Sequence, residues 1–289
     1  MTDAVVQVSD LRKTYRGGFE ALRGVSFDIR RGETFALLGP NGAGKSTVIE
    51  ILEGYRDRSS GDVSVLGVDP QHGGLAWKAR LGIVLQNTGE APTATVRELL
   101  AHFAGFYPNP RGVDEVIDAV GLTAKAKTSV RKLSGGQRRR VDVALGILGQ
   151  PELLFLDEPT TGFDPEARRQ FWGLIRALQD DGTTIVLTTH YLDEAAVLSE
   201  RAAILVGGRI ASLGPIDALG GEEARVPIVR WADEHGRHEE RTPRPGERVA
   251  QLVAEGGEPD RLEIVHPSLE DIYLSFLGED AAQSSGVAA

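Results

Sequence analysis

Cysteine is absent from this 289-residue sequence, which excludes disulfide bonds and thiolate metal sites. Long apolar runs are missing too: nowhere do roughly 18 apolar residues stand together, so we expect no segment that crosses a membrane. The first ten residues lack the basic start and apolar run of a secretory signal. The formal net charge of -10 disfavours a general nucleic-acid coat, because phosphate binding needs a basic surface. At 41% hydrophobic residues, the chain has enough apolar side chains for a globular core.

Strand-like and helical segments alternate along most of the chain. Short apolar stretches at 34–38, 81–85, 153–156 and 184–188 are typical of buried strands, and helical patterns separate them. This alternation predicts an α/β fold with a parallel sheet. Helical patterns also fill much of the region between the second and third of these strands, which indicates an inserted helical subdomain.

A glycine-rich segment follows the first buried strand and precedes a helical pattern. It matches the phosphate-binding P-loop, G-x-x-x-x-G-K-[ST], and consists of Gly39, Pro40, Asn41, Gly42, Ala43, Gly44, Lys45, Ser46 and Thr47. Glycines let the backbone N–H groups point at phosphate oxygens, and the helix N-terminus adds partial positive charge. We expect Lys45 to contact the β- and γ-phosphates of a nucleotide and Ser46 to ligate Mg²⁺.

Two acidic residues, Asp157 and Glu158, end the third buried strand. A buried strand delivers such carboxylates to the carboxyl edge of the sheet, where the ligand sites of α/β proteins lie. Asp157 is placed to bind Mg²⁺, directly or through water, and Glu158 is placed to orient the attacking water. Alone, this pattern would equally suit a solvated acidic turn, but together with the P-loop it predicts a nucleoside triphosphatase.

Leu133 begins the segment Leu-Ser-Gly-Gly-Gln, which includes Ser134, Gly135, Gly136 and Gln137 and opens an apolar helix. Here the sequence resembles the ATP-binding-cassette (ABC) family, whose signature reads LSGGQ. The resemblance implies a P-loop nucleoside triphosphatase fold with an N-terminal antiparallel β subdomain and a helical subdomain at about 87–149. It implies ATP and Mg²⁺ as ligands. It also implies that two cassettes pack head to tail, each signature closing over the other's ATP, and we expect a homodimer.

Four further residues match minor motifs of this family. Tyr15 matches the aromatic that stacks on adenine, and Gln86 matches the glutamine that senses Mg²⁺ and water. Asp164 matches the acid that reaches across the dimer, although Phe163 stands where the family usually has leucine. His190 matches the switch histidine that contacts the γ-phosphate. Each residue alone would usually be structural, and their occurrence in family order favours the functional interpretation.

Several segments are similar to the drug-export branch of the family, of the daunorubicin-resistance type. They are 189–195, 208–210 and 267–273. The resemblance implies an ATPase at the cytoplasmic face of the membrane, powering export through a separate permease. An importer ATPase is the alternative within transport. A soluble ATPase of DNA repair or translation is a further alternative, disfavoured because the chain has no long heptad run, no cysteine and one cassette.

After Pro215, glycine, proline and charged residues become more frequent, which predicts a boundary near residue 217. We expect a nucleotide-binding domain over 1–216, a small α+β accessory or regulatory domain over 217–278 and a disordered tail over 279–289. In the accessory domain, Ser268 is a natural N-cap for a last helix and Gly278 a natural stop. Two other features have plain interpretations: residues 138–140 as the polar face of the signature helix, and His235 and His238 as part of a solvated loop rather than a metal site.

Overall fold

The computed structural model describes residues 3–85, 92–233, 235–257 and 259–285. The chain divides between Leu213 and Gly214 into two compact units, slightly ahead of the boundary expected from composition. Gln86 lies outside the described residues. None of the helices in the described ranges is long and apolar enough to cross a membrane.

The first unit contains nine strands within the described residues. They are β1 (Ala4–Thr14), β2 (Glu20–Arg30), β3 (Thr34–Leu38), β4 (Ser60–Val65), β5 (Leu81–Val84), β6 (Leu153–Asp157), β7 (Thr184–Thr188), β8 (Arg201–Val206) and β9 (Arg209–Pro215), the last ending just beyond the boundary. A three-stranded sheet has the order β2-β1-β4, and its pairs are antiparallel. A six-stranded sheet has the order β5-β6-β7-β3-β8-β9. The first five of these six strands pair in parallel.

Seven α-helices of the described chain belong to the same unit. They are α1 (Lys45–Leu52), α2 (Leu75–Lys78), α3 (Val96–Ala104), α4 (Val113–Ala119), α5 (Gly135–Ile147), α6 (Pro165–Asp180) and α7 (Leu192–Leu198). Helices α3, α4 and α5 form the inserted helical subdomain between β5 and β6. The first of them begins with a capping box, because Thr95 and Glu98 each bond the other's backbone N–H. The predicted α/β fold, with its antiparallel and helical subdomains, is confirmed.

Successive side chains of the buried strands point to opposite faces of the parallel sheet and form two apolar cores, one on each face. Leu153 and Phe155 of β6 face the core that includes α1 and the antiparallel sheet. Leu154 and Leu156 of the same strand face the core that includes α5 and α6. Because both faces are covered, these strands are apolar throughout, and polar groups are displaced to their ends.

The second unit is a small α+β domain. Its strands are β10 (Ile228–Asp233), β11 (Gly236–Arg241) and β12 (Asp260–Val265), and its helices are α8 (Gly221–Ala224), α9 (Pro245–Gly256) and α10 (Leu269–Ser285). The sheet order is β11-β10-β12, with antiparallel pairs. Arg248 of α9 lies over the ring of Trp231 at 5.2 Å, which attaches this helix to the sheet.

The second unit differs from two sequence expectations and agrees with a third. His238 lies on β11 with its ring stacked on Trp231 at 5.2 Å, so the expectation of a loop there was wrong; cross-strand pairing with β10 holds the segment. Ser268 does cap α10, since its hydroxyl accepts the Asp271 N–H at 3.2 Å. However, α10 continues to Ser285, so the expected stop at Gly278 was wrong. A glycine costs a helix only about 1 kcal/mol, and no proline follows this one.

Candidate nucleotide site

The predicted site segments follow strands that are neighbours in the parallel sheet. The P-loop follows β3, the acidic pair ends β6 and His190 follows β7. These three strands are adjacent in the order β6-β7-β3, with β5, the strand before Gln86, beside β6. Since the carboxyl ends of parallel strands lie at one edge, the fold gathers these segments in one place.

The shape of the P-loop is fixed by packing against the rest of the cassette. Gly39 has φ +154° and Gly44 has φ +107°, both in the region that favours glycine. A Cβ atom at Gly39 would lie 2.3 Å from the carbonyl oxygen of Leu205, and one at Gly44 would lie 2.8 Å from that of Ala21. Neither position can therefore accept a side chain without moving backbone atoms.

Lys45 is buried at the start of α1 and is held by the loop itself. Its Nζ donates to the carbonyl oxygen of Gly39 at 2.7 Å and to that of Pro40 at 3.2 Å. Burial lowers the pKa of Lys45, and the carboxylates of Glu158 and Asp157 act in the opposite direction. The ammonium group thus lies within the loop at a helix N-terminus, an arrangement suited to binding anions, and the two acids lie close to it.

One residue of β7, Thr188, holds both acids of the β6 end. Its hydroxyl donates to Asp157 Oδ1. The Glu158 N–H donates to the Thr188 carbonyl at 3.0 Å and to its hydroxyl at 3.1 Å. Glu158 has φ +45°, a left-handed backbone that is uncommon for this residue type and that turns the chain sharply at the end of the strand.

The structure brings His190 to Glu158. The distance from His190 Nδ1 to Glu158 Oε2 is 3.3 Å. The same carboxylate oxygen accepts the Thr161 hydroxyl at 3.2 Å. The His190 ring packs on Tyr191 with 4.1 Å between centroids. A histidine, a carboxylate and a hydroxyl therefore converge where a water molecule could be oriented.

The donor set beside the P-loop fits Mg²⁺. Ser46 stands in the first turn of α1 and Asp157 at the end of β6, and both offer oxygen. Among the described residues no group of three or more His, Cys, Asp or Glu could hold a metal ion by itself. Mg²⁺ commonly uses one or two protein oxygens together with phosphate and water, so the residues present are compatible with it.

The signature segment begins α5 and satisfies its own polar groups. The Ser134 hydroxyl accepts the Gln137 N–H at 3.3 Å, and the Gln137 side chain accepts the Ser134 N–H at 3.2 Å. This is a capping box. A Cβ atom at Gly135 would have no neighbour within 4 Å, and one at Gly136 would lie 3.9 Å from Phe163. The start of this helix therefore has room for a ligand or another chain.

Two further predicted residues have partners within the chain. Asp164 caps α6 by accepting the Ala167 N–H at 2.8 Å, while Phe163 packs edge-on against Phe171 with 5.6 Å between centroids. The Tyr15 hydroxyl lies 3.1 Å from the Thr47 hydroxyl. Tyr15 is thereby tied to the P-loop.

The arginine run 138–140 corrects an expectation, because Arg139 is buried rather than polar surface. Its guanidinium donates to the carbonyl oxygens of Pro159 at 3.0 Å, of Asp157 at 2.7 Å and of Leu85. Arg139 shares a helix face with Val143 and Gly146, so the helical period could have shown that it points inward. Its partners could not be found that way, since the Leu85 carbonyl is 54 residues away in sequence.

Comparison with known proteins gives the family. Residues 22–161 match the sequence profile described as ABC transporter. The chain is 36% identical to the Nod factor export ATP-binding protein I of Rhizobium etli, over 95% of this chain and 94% of that protein. The chain belongs to the ABC transporter family. As a cassette of this family it is an ATPase, and it binds nucleotide.

Other relatives agree with this assignment. The cassette is 31% identical to the daunorubicin resistance ATP-binding protein DrrA3 of Streptomyces coeruleorubidus, over 97% of this chain and 98% of that protein. Among solved structures, CbiO1 of Clostridium perfringens matches with a TM-score of 0.68 and 28% identity, over 74% of this chain and 89% of that chain. A dimeric ATP-binding cassette in a post-hydrolysis state with ADP and Pi matches with a TM-score of 0.65 and 25% identity, over 73% and 98%.

Proposed function

We propose that this chain is the ATP-hydrolysing subunit of an exporter and that it works with a separate membrane permease. The observation that carries the proposal is the convergence of Lys45, Asp157, Glu158 and His190 at one sheet edge, beside a P-loop whose curve is fixed by packing. Relatives that align over nearly their whole length are named for Nod factor export and daunorubicin resistance, which supports export as the direction.

In the proposed mechanism, Lys45 and the amides at the start of α1 bind the phosphates of ATP. Ser46 and Asp157 would hold Mg²⁺, which supplies charge neutralisation at the phosphates when bound. Glu158 accepts a hydrogen bond from the attacking water, and its carboxylate is kept in place by Thr161 and His190. His190 Nε2 is then available for the γ-phosphate, and Gln86 keeps its predicted role as the sensor of Mg²⁺ and water.

The role of Glu158 is tested by Glu158→Gln. The amide keeps the size of the side chain but cannot accept a proton from water, so ATP turnover should fall at least about 100-fold, with ATP affinity unchanged. Glu166→Gln, an exposed position on α6, is the matched control and should retain full turnover. Wild-type turnover in Glu158→Gln would contradict the assignment.

We propose further that two copies of this chain form a head-to-tail dimer, in which the start of α5 closes over the ATP of the other copy. The support is the room around Gly135 and the family resemblance of the segment. Ser134→Arg places bulk and charge there, so in a Glu158→Gln background it should prevent an ATP-dependent dimer while each chain still binds ATP. Light scattering measures this. Ala124→Arg, exposed in the same subdomain, should still dimerise, and a stable ATP-bound Ser134→Arg dimer would refute the arrangement.

Two further proposals concern parts outside the nucleotide site. We propose that the chain reaches the cytoplasmic face of the membrane through its permease. Fractionation of cells with and without that permease tests this. None of the site segments lies in the second unit, so removing residues 217–289 should preserve ATP binding and weaken subunit association or transport. Equal membrane association without the permease would contradict the role of the permease. Unchanged subunit association and transport in a soluble truncated protein would contradict the role of the second unit.

A further inference from the structure

A buried carboxyl lies behind the site, on an element that the proposed mechanism does not use. Glu194 stands in the first turn of α7 and is 0% exposed. Its Oε1 accepts the Thr160 hydroxyl at 2.9 Å and the Trp172 indole N–H at 3.2 Å. Trp172 belongs to α6, so this carboxyl joins two helices and a loop.

The residues around Glu194 are close in sequence to Glu158 and His190, whose side chains meet at the site. Thr160 follows Glu158 by two positions, and Thr189 immediately precedes His190. The Thr189 hydroxyl accepts the Tyr191 N–H at 3.0 Å, and Tyr191 is the N-cap of α7, the helix that carries Glu194. One side chain is thus linked to the loop after β6 and to the loop after β7.

Burial of the Glu194 carboxyl costs desolvation free energy that core packing does not require. Burial raises the pKa of this carboxyl, and the donors from Thr189, Thr160 and Trp172 offset that effect in part, with a smaller contribution from the charge of Arg168. The second oxygen, Oε2, has no hydrogen-bond partner within normal distance among the described residues. An apolar side chain of similar volume would avoid this desolvation, so the carboxyl has a cost that core packing does not explain.

We propose that Glu194 is a positioning residue, which holds the loop carrying Glu158 and the loop carrying His190 in register so that the two side chains meet over the attacking water. The inference rests on the proposed function. It assigns Glu194 no contact with ATP. The separation that it maintains is the 3.3 Å between Glu158 Oε2 and His190 Nδ1.

The main test is Glu194→Met, which keeps the length of the side chain and removes both acceptors. Turnover should fall about tenfold, while ATP affinity stays within about twofold, because misplacing a catalytic group affects the transition state more than ground-state binding. Glu194→Gln keeps one carbonyl oxygen for Thr160 and Trp172, and should recover most of the turnover. Thr160→Val removes only the hydrogen bond from the Thr160 hydroxyl and leaves the Glu194 carboxyl unchanged. Added to Glu194→Met it should cause little further loss, because both changes break the same link.

Glu33→Met is the matched control. Glu33 is also a buried glutamate of the first unit, 4% exposed, and it accepts the Arg201 guanidinium at 2.9 Å and the Arg30 N–H at 2.8 Å. It lies just before β3, at the end of the sheet opposite to the site. Glu33→Met removes the acceptor of both groups, so it should lose thermal stability but keep its turnover per folded molecule.

The outcomes separate the two hypotheses. Equal turnover losses in Glu33→Met and Glu194→Met, full turnover in Glu194→Met, or additive losses with Thr160→Val would overturn the positioning role while leaving the ATPase assignment intact. If Glu194→Met does not fold, full turnover in Thr160→Val overturns it. A wild-type protein that does not hydrolyse ATP, or one whose Glu158→Gln variant hydrolyses it normally, would instead overturn the proposed function.

Discussion

The P-loop and the signature segment both place glycines at a helix start, but for different reasons. At Gly39 and Gly44 the left-handed backbone and the nearby carbonyls of Leu205 and Ala21 require glycine within this chain. Gly135 is the first residue of α5, with ordinary helical backbone and open space where a Cβ would be. The P-loop is therefore shaped by the fold of its own chain, whereas the fold of the chain does not require glycine at position 135, where the proposed dimer would use the open space.

Removing the charge from the P-loop should give the largest effect on this comparison. Lys45→Ala is expected to lower ATP affinity about 100-fold, close to 2.7 kcal/mol, because the ammonium within the loop is lost. Titration calorimetry measures the affinity. Lys132→Ala, an exposed lysine just before the signature segment, should bind ATP as the wild type does. Unchanged binding by Lys45→Ala would show that the loop amides suffice.

The glycines themselves should separate in folding stability. Gly44→Ala forces a Cβ against the Ala21 carbonyl and should lower the free energy of unfolding by about 2 kcal/mol. Gly135→Ala meets open space, and should change that free energy by less than about 0.5 kcal/mol. It should nevertheless weaken ATP-dependent dimerisation. Thermal unfolding of both variants decides the point: equal destabilisation would mean that the signature glycine also serves the fold of its own chain.

The smallest expected effect concerns the other ends of the two helices. The C-cap of α1 is Glu53, whose pKa burial raises to about 8 from an ordinary 4.5, whereas the C-cap of α5 is Leu148. Because the folded state holds this proton more tightly than the unfolded state, stability is lost as the pH rises from about 4.5 to about 8. Glu53→Gln should therefore raise the melting temperature at pH 8 by roughly 2–4 °C, and hardly at all at pH 4.5.

Exposed Glu115→Gln serves as the control and should show no such pH dependence. A gain of the same size at both pH values in Glu53→Gln would indicate better packing instead of relief of a buried charge.

The sequence predicted those parts of the site that depend on local order along the chain. The strand-loop-helix around Lys45 and the acids at the end of β6 follow from patterns only a few residues long, and parallel pairing then places them at one edge. Arg139, Thr188 and Glu194 were missed because their roles depend on contacts between distant segments. The Glu194 contact with Thr160 spans 34 residues, and no local pattern specifies it.

Weak local signals account for the two expectations that failed in the second unit. Strand β11 is charged along its length, so its apolar signal is weak, and pairing with β10 decides its conformation. The end of α10 was placed at Gly278 because glycine often terminates helices, yet it does so only where the chain then turns.

The left-handed backbone at Glu158 creates a conflict between folding stability and the proposed ATP hydrolysis. A non-glycine residue held in such a conformation costs about 1–3 kcal/mol, and asparagine or glycine adopts it more readily. Neither of those residues has the carboxylate that the proposed mechanism requires at this position. Laboratory evolution that selected for heat resistance alone would therefore favour variants that still bind ATP but no longer hydrolyse it. ATP turnover would have to be measured in every round to retain the activity.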